Sequence, residues 1–382
     1  LIEDPEKCLA VLNTAPADIQ DDPRLLRIRF SVEKRTWDKD EVAIFCGNSL
    51  EDWDGNSVKE GGIGGSETAV IEIAKRLVTQ GKKVTVFNRC GAFHDGKMID
   101  GVLYKNFWQF NKEDHFNVLW LWRGTSLLQH DIKAEKVLID MHDVSTPNIF
   151  YPEVLEKIDH VFVKTEFHKS LYPTVPEDKF VVVGNGIDLA RFDQDVKKDK
   201  NKFIYTSTQN RGLEQLATMW PKIKKAIPDA ELHYFYGWNT WLETHKDNPA
   251  MMDWYNHMQG LLSQEGIVNH GRVDQYTLAK HQLEAGFWLY PTAFPEVHCI
   301  TALEMQAAGA YPITTGFAAL EETQQWGEKL PGDINDPEWQ QAYIDKVIEE
   351  YNNYDLIEPA MGKKWAIDNS WDKVTDTWLS VM

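Results

Sequence analysis

From Glu41 onward, short apolar runs alternate with amphipathic stretches, and this alternation is the main structural signal in the chain. Val42 to Cys46 has the pattern of a buried strand. Glu67 to Gln80 carries apolar residues at Val70, Ile73, Ala74, Leu77 and Val78, the spacing of an amphipathic helix, with Gly81 placed to end it. Strand patterns follow at Lys83 to Phe87, Val118 to Trp122, Lys136 to Asp140, His160 to Lys164 and Lys179 to Val183. A turn at Asn185 to Asp188 and a charged stretch from Asp193 to Lys202 interrupt the series. The alternation then resumes with a strand at Phe203 to Ser207, a helix at Leu213 to Ala226 and a strand at Ala230 to Tyr236. Further strands are expected within Gly266 to Gly271, at Phe287 to Tyr290 and at Tyr311 to Thr314, the last pair of the series.

Strand–helix alternation in both halves predicts an α/β protein with two doubly wound parallel-sheet, Rossmann-like domains. Ligands in such folds bind outside the carboxyl ends of the strands, so a cleft between the domains is the expected site. The N-terminus differs. Glu6 to Leu12 and the helix signalled by Asp22-Pro23 read as a short helical hairpin over residues 5–38, about one tetratricopeptide unit in length. A final amphipathic helix is expected from Ser370 to Leu379. The expected organisation is therefore a hairpin over 1–39, ending a longer helical array, domains at 40–188 and 189–355, and a C-terminal helix within 356–382.

At 382 residues the chain is long enough for two cores. The formal charge of −19 disfavours nucleic acid and anionic membrane surfaces as nonspecific partners. Cys8, Cys46, Cys90 and Cys299 form no CxxC pair, which fits a reduced, cytoplasmic chain. No signal peptide is evident, and no apolar run approaches the roughly 20 residues of a membrane span. Leu1 in place of Met is compatible with a piece of a longer polypeptide. The 15 tryptophans could stack on sugars, although core packing is the commoner use.

Candidate chemistry concentrates at Phe294 to Gly309. Glu296 lies in a Pro-flanked loop after an apolar strand, and Glu304 falls in the first turns of the next helix. The free N–H groups near Ile300 and Thr301 would favour a phosphate. Glu304, on the same helical face, could accept from a ribose, with Glu296 at the other end of the ligand. Spacing alone fits equally a βα unit with an acidic loop. Arg211, between a strand and a helix, could clamp phosphate oxygens bidentately or be an ordinary surface arginine. Asp140-Met141-His142-Asp143 ends an apolar strand, where site residues gather. Gly61 to Gly65 opens the first long helix with Ser66 as a plausible N-cap. It fits neither a dinucleotide fingerprint nor a Walker loop. Asp52-Trp53-Asp54 lies in a polar loop and is a poor metal motif, and no His/Cys cluster has zinc spacing.

The Pro-Glu-x7-Glu run, followed by Gly309-Ala-Tyr-Pro-Ile-Thr-Thr, resembles the signature of GT-B glycosyltransferases of the retaining family 4 type. The resemblance covers roughly 41–382. It implies that Glu296 contacts donor sugar hydroxyls and Glu304 the ribose. It also implies that Gly64 and Gly65 approach the donor phosphate or the acceptor, and that His142 lies by the reacting sugar. Arg272 and Val273 would flank the nucleobase, the loop Gly237 to Trp241 would wall the donor pocket, and the C-terminal helix would cross back onto the first domain. Two departures stand out: Cys299 where many members have glycine, and no lysine shortly after Arg211 to complete a two-cation diphosphate clamp. The implied activity is transfer of a hexose-like sugar from a nucleoside diphosphate sugar, UDP or GDP being the expected carriers. The acceptor would be a hydroxyl of a glycan, lipid or protein. No resident cofactor and no metal would be required, and the hairpin could dock a protein partner. The alternatives are a nucleotide-sugar 2-epimerase of the same fold and a non-catalytic sugar-binding or scaffold protein.

Overall fold

A computed structural model describes residues 4–20 and 22–382; residues 1–3 and 21 of the expected hairpin lie outside the described residues. The helices Pro5–Asn13 and Pro23–Val32 are joined by Arg29, which donates to Asn13 Oδ1 at 3.0 Å, and bury Leu12 and Leu26. Asp22 caps the second by accepting from Arg24 N.

The chain divides into two compact units. The first comprises residues 1–57, 64–184 and 374–382. Its strands are β1 (Glu41–Phe45), β2 (Lys83–Asn88), β3 (Lys97–Ile99), β4 (Val102–Asn106), β5 (His115–Trp122), β6 (Lys133–Asp140), β7 (His160–Val163) and β8 (Phe180–Val182). They form one sheet in the order β3-β4-β2-β1-β5-β6-β7-β8, parallel except for the β3–β4 pair. Chain order reverses between β1 and β5, which makes their carboxyl ends a topological switch point. Strands buried on both faces need almost continuous apolar sequence, and Val118 to Trp122 is buried throughout. Trp378, in the helix Trp371–Leu379, stacks on Phe162 at 3.6 Å and lies 4.1 Å from Trp120.

The second unit comprises residues 58–63 and 185–373. Its strands are β9 (Asp199–Tyr205), β10 (Glu231–Tyr234), β11 (Ile267–Asn269), β12 (Ala285–Tyr290), β13 (Tyr311–Thr314) and β14 (Glu328–Lys329). The order β11-β10-β9-β12-β13-β14 is parallel throughout, with its switch point between β9 and β12. The helix Leu213–Ala226 buries Leu213, Leu216, Ala217, Trp220 and Ile223 on one face, against β9 and β12 through rings such as Phe203 and Phe287.

Several sequence expectations need correction. The first long helix runs Gly65–Thr79 and its N-cap is Gly64, not Ser66. The amide and hydroxyl of Thr68 both donate to Gly64 O at 2.9 Å, so Ser66 already lies in the first turn and its hydroxyl turns to Glu67. The β3–β4 hairpin was not foreseen because β3 is short and largely exposed, with no apolar run to mark it. Part of the charged stretch, Asp199 to Lys202, is strand. Lys202 can lie there because Glu284 accepts from it at 2.6 Å. β13 is not the final strand, since β14 follows it. Trp238 and Trp241 belong to a ring cluster with Trp254 and Tyr255, and the helix Asn239–His245 begins inside the expected loop. They pack with the core of the second unit.

Candidate active site

In the second unit the switch point brings together loops that follow β9 and β12. Tyr205, the last residue of β9, donates its hydroxyl to Thr208 O at 2.7 Å, and Arg211 N donates to Thr208 O at 3.1 Å. These bonds turn the chain so that Arg211 leaves the sheet just before the helix Leu213–Ala226. Gly212 has φ 106°, and a Cβ there would stand 2.1 Å from Pro291 O. Only glycine lets the two loops approach this closely.

Glu296 receives two donors from these elements. Arg211 Nη1 donates to Glu296 Oε1 at 3.0 Å, and the buried Tyr290 hydroxyl donates to the same oxygen at 2.6 Å. The Arg211 guanidinium lies over the Phe294 ring, 3.8 Å from its centroid. Burial would lower its pKa, but Glu296 beside it holds the net value above the ordinary one. The Arg211 side chain is 30% exposed and that of Glu296 9%. The arrangement is a buried acceptor holding a cation that still reaches solvent. Thr292 and Thr315 brace the loop: the Thr315 hydroxyl donates to Thr292 O at 2.8 Å, and Ala319 N donates to Glu296 O at 3.1 Å.

Cys299 is the N-cap of the helix Ile300–Ala308 and makes no capping bond with its side chain. The thiol is buried and burial pushes its pKa well up, so it sits there as a small apolar group. Ile300 and Thr301 are half-buried in the first turn, where helical N–H groups lack intrahelical partners. Glu304 is placed differently from Glu296. Its carboxylate accepts from Arg191 Nη2 at 2.9 Å and from Gln282 Nε2 at 2.9 Å, all three side chains being buried. Arg191 Nε and Nη1 make no hydrogen bond among the described residues. Arg272 and Val273 follow β11, at the far edge from β14. Arg272 is exposed and donates to Gly62 O at 3.1 Å.

In the first unit the chemistry clusters at the carboxyl ends of β5, β6 and β7. His142 Nε2 donates to Asp140 Oδ2 at 2.8 Å, and Lys164 Nζ donates to Asp140 Oδ1 at 2.6 Å. The three side chains are 3%, 0% and 1% exposed for His142, Asp140 and Lys164, so this is a sealed cluster. Burial alone would raise the Asp140 carboxyl, but His142 and Lys164 hold it below its ordinary value. Burial lowers His142, against the pull of Asp140. The imidazole is therefore neutral at pH 7, with Nε2–H fixed on Asp140 and Nδ1 as the nitrogen Asp140 does not engage.

Beside it, Arg123 follows β5 in a left-handed conformation (φ 66°), forms a two-pronged ion pair with Asp143 and lies 4.8 Å from the Trp122 ring. Its Nη1 is 4.0 Å from Glu67 Oε1, and a Cβ on Gly64 would meet Glu67 Oε2 at 2.5 Å. Gly64, Gly65, Glu67, Arg123, Asp143 and His142 are thus linked through neighbouring contacts around the first switch point.

Tyr290, Arg191, Arg123 and Lys164 were not singled out from sequence. Tyr290 and Lys164 carried one available signal, a polar group at the end of an otherwise apolar strand pattern. Asp52 pairs with Arg89 and Asp54 with His94.

No protein-family model matches this chain, and no curated protein sequence matches it. Solved structures do resemble it. Sucrose-phosphate synthase from Thermosynechococcus elongatus is 12% identical with a TM-score of 0.66, over 89% of this chain and 98% of that one. A glycosyltransferase from Rickettsia africae is 15% identical with a TM-score of 0.63, over 89% and 97%. Anabaena HepE, in complex with UDP and glucose, is 12% identical with a TM-score of 0.61, over 89% and 98%. At such identities the likeness is one of fold. The two parallel-sheet α/β domains match the GT-B fold of these solved structures.

Proposed function

We propose that the protein is a glycosyltransferase of the retaining family 4 type, moving a hexose-like sugar from a nucleoside diphosphate sugar to an acceptor hydroxyl. The observation that carries this reading is the Arg211–Glu296 pair at the carboxyl ends of β9 and β12. A partly exposed guanidinium on an aromatic ring can turn from a carboxylate to a diphosphate without being freshly desolvated. Glu296, released from Arg211 and still held by Tyr290, then accepts from sugar hydroxyls. The N–H groups of Ile300 and Thr301 add donors for the phosphate, and the helix dipole favours it. Glu304 is assigned to the ribose, oriented from behind by Arg191 and Gln282. Arg272 and Val273 are assigned to the nucleobase, Gly64 and Gly65 to the donor phosphate or the acceptor, and neutral His142 to a sugar hydroxyl.

In this mechanism the C1–O bond to the diphosphate breaks as the acceptor oxygen bonds to C1 on the same face. The acceptor proton passes to the departing phosphate oxygen. The catalytic load is orientation and charge stabilisation of the leaving group, which Arg211 and the helix amides supply without a second cation. The domain division at 40–188 and 189–355, a returning helix in 356–382, a reaction that needs no metal, and a protein partner for the hairpin belong to the same reading. So does a cytoplasmic setting. It is supported by four free cysteines. In addition, no helix among the described residues is long and apolar enough to cross a membrane.

A thermal-shift screen of UDP-, GDP-, ADP- and dTDP-sugars tests the reading, since a ligand of the folded state raises the melting point. UDP- or GDP-sugars should give the largest rise, followed by slow donor hydrolysis that Glu296→Ala abolishes. No turnover with any of them, together with donor binding indifferent to Glu296→Ala and His142→Ala, would sink it.

A further inference from the structure

Away from the phosphate-facing loops, three histidines converge in the second unit. β9, β10 and β11 lie side by side, and the two-residue alternation of strands puts Lys202 and His233 on one face. His270 extends the ladder past β11, its N–H donating to Tyr234 O at 3.0 Å. The helix Gln275–Glu284 brings His281 and Glu284 to the same place.

His233 Nδ1 and His270 Nε2 are 2.8 Å apart, and the His270 and His281 ring centroids are 4.4 Å apart. One ring nitrogen from each lies within 4.8 Å of the other two. Phe235 stacks on His270 at 4.6 Å and fixes its plane.

As neutral rings the three imidazoles share one hydrogen bond, between His233 Nδ1 and His270 Nε2, which an ion between them would replace. They form a good ligand set. Nitrogens on one tetrahedral zinc are about 3.3 Å apart at bond lengths of about 2.0–2.1 Å. The separations seen here bracket that spacing. One outer-shell carboxylate is also in place. Glu231 Oε2 lies 3.2 Å from His233 Nε2, whereas Glu284, 3.8 Å from His281 Nδ1, is bonded to Lys202 instead. Carboxylates behind ligating imidazoles orient the ring and raise its basicity. Lys202 is an opposing charge. Its Nζ is 2.8 Å from His281 Nδ1 and 2.6 Å from Glu284. Glu231 and Glu284 stand against two ammoniums, Lys202 and Lys280, which leaves the surroundings close to neutral. A cavity lined by Gln194, Tyr276, Thr277, Lys280, His281 and Glu284 opens beside His281 and gives an ion a way in.

We propose that His233, His270 and His281 bind one divalent transition cation, with zinc as the probe of choice for an all-imidazole set and water in the fourth position. The ion is structural. Held by His270 and His281, it fixes both ends of the segment 270–281, which carries Arg272 and Val273, and it takes no part in sugar transfer.

The test uses the untagged full chain, stripped with chelator and titrated with zinc sulfate by calorimetry, with metal content measured after desalting. One zinc per chain is expected, with affinity falling at least tenfold in both His270→Asn and His281→Gln. Lys202→Met should bind as tightly as the parent or more so, because a competing cation is gone. No zinc uptake, or uptake unchanged in both histidine variants, overturns the proposal. Should both variants fail to fold, cobalt(II) added to the parent decides. Intense visible bands of a four-coordinate site support it, and the weak spectrum of aqueous cobalt defeats it.

Discussion

Asp140 and Glu296 each stand near the carboxyl end of a parallel strand and each accepts from a cation, yet the cations are held in opposite ways. Lys164 and His142 are sealed around Asp140, with almost no exposed side chain among the three. Arg211 shares Glu296 with Tyr290 but lies open over Phe294, about a third exposed. A sealed pair has no water to replace a lost partner, so it holds its members in one geometry and breaks at high cost. A half-open pair exchanges partners at low cost. The first arrangement suits a residue that must be aimed, here His142. The second suits one that must let go of its carboxylate when an anion arrives.

Removing the anion tests this contrast most severely. Asp140→Ala leaves two buried donors uncompensated and should cost about 3–5 kcal/mol in urea unfolding. A loss below about 1 kcal/mol would show that the cluster is not sealed in solution. Glu296→Ala should lower turnover at least about a hundredfold, the order of one lost transition-state contact. UDP binding should hold or improve, because Arg211 is released; weaker binding would mean that Glu296 positions Arg211 for the phosphate. Arg211→Ala should cost about 1–3 kcal/mol of stability, since buried Glu296 keeps only Tyr290, and weaken UDP binding about tenfold to a hundredfold, the loss of a charge-assisted bond. Unchanged affinity in calorimetry removes it from the site.

The pH profile gives a smaller effect with a fixed sign. Burial, and then Lys164, hold His168 down to about 4, and burial lowers His142. An unfolded histidine takes up its proton near pH 6.5, before either folded ring does. Their contribution is therefore complete above about pH 6.5 and is lost as pH falls toward 4, as the unfolded state gains protons first. A urea midpoint flat between pH 7 and pH 4.5 would contradict neutral burial of these rings. The mildest expectation concerns thiols. Burial raises Cys46, Cys90 (to about 12) and Cys299, so iodoacetamide at pH 7.5 should label only Cys8 in the folded chain.

The strands were legible because parallel strands covered on both faces need unbroken apolar sequence, which Phe287 to Tyr290 and Val118 to Trp122 supply. The helix Leu213–Ala226 was legible from its place after a strand in the alternating pattern. β3 and β14 were not, since a short edge strand buries too little to leave a pattern. At the site, Arg211 and Glu296 could each be picked out as strand-end residues. Their pairing could not, because 85 residues separate them and only the sheet order makes them neighbours. Lys164 and Asp140 are a similar case, joined by adjacent strands across 24 residues. Glu304 was read from its helical position, and its engagement with Arg191, 113 residues away, had no local trace.

The placement of Trp378 bears on how the chain matures. The surface of Phe162 and Trp120 that it covers belongs to a sheet whose strands are all made by residue 182, whereas Trp378 emerges only after the whole second unit. During synthesis the first unit must wait with that aromatic patch bare, a period in which chaperone capture or misassembly competes with completion. Completion of the first unit is thereby tied to one late event, the arrival of residues 374–382.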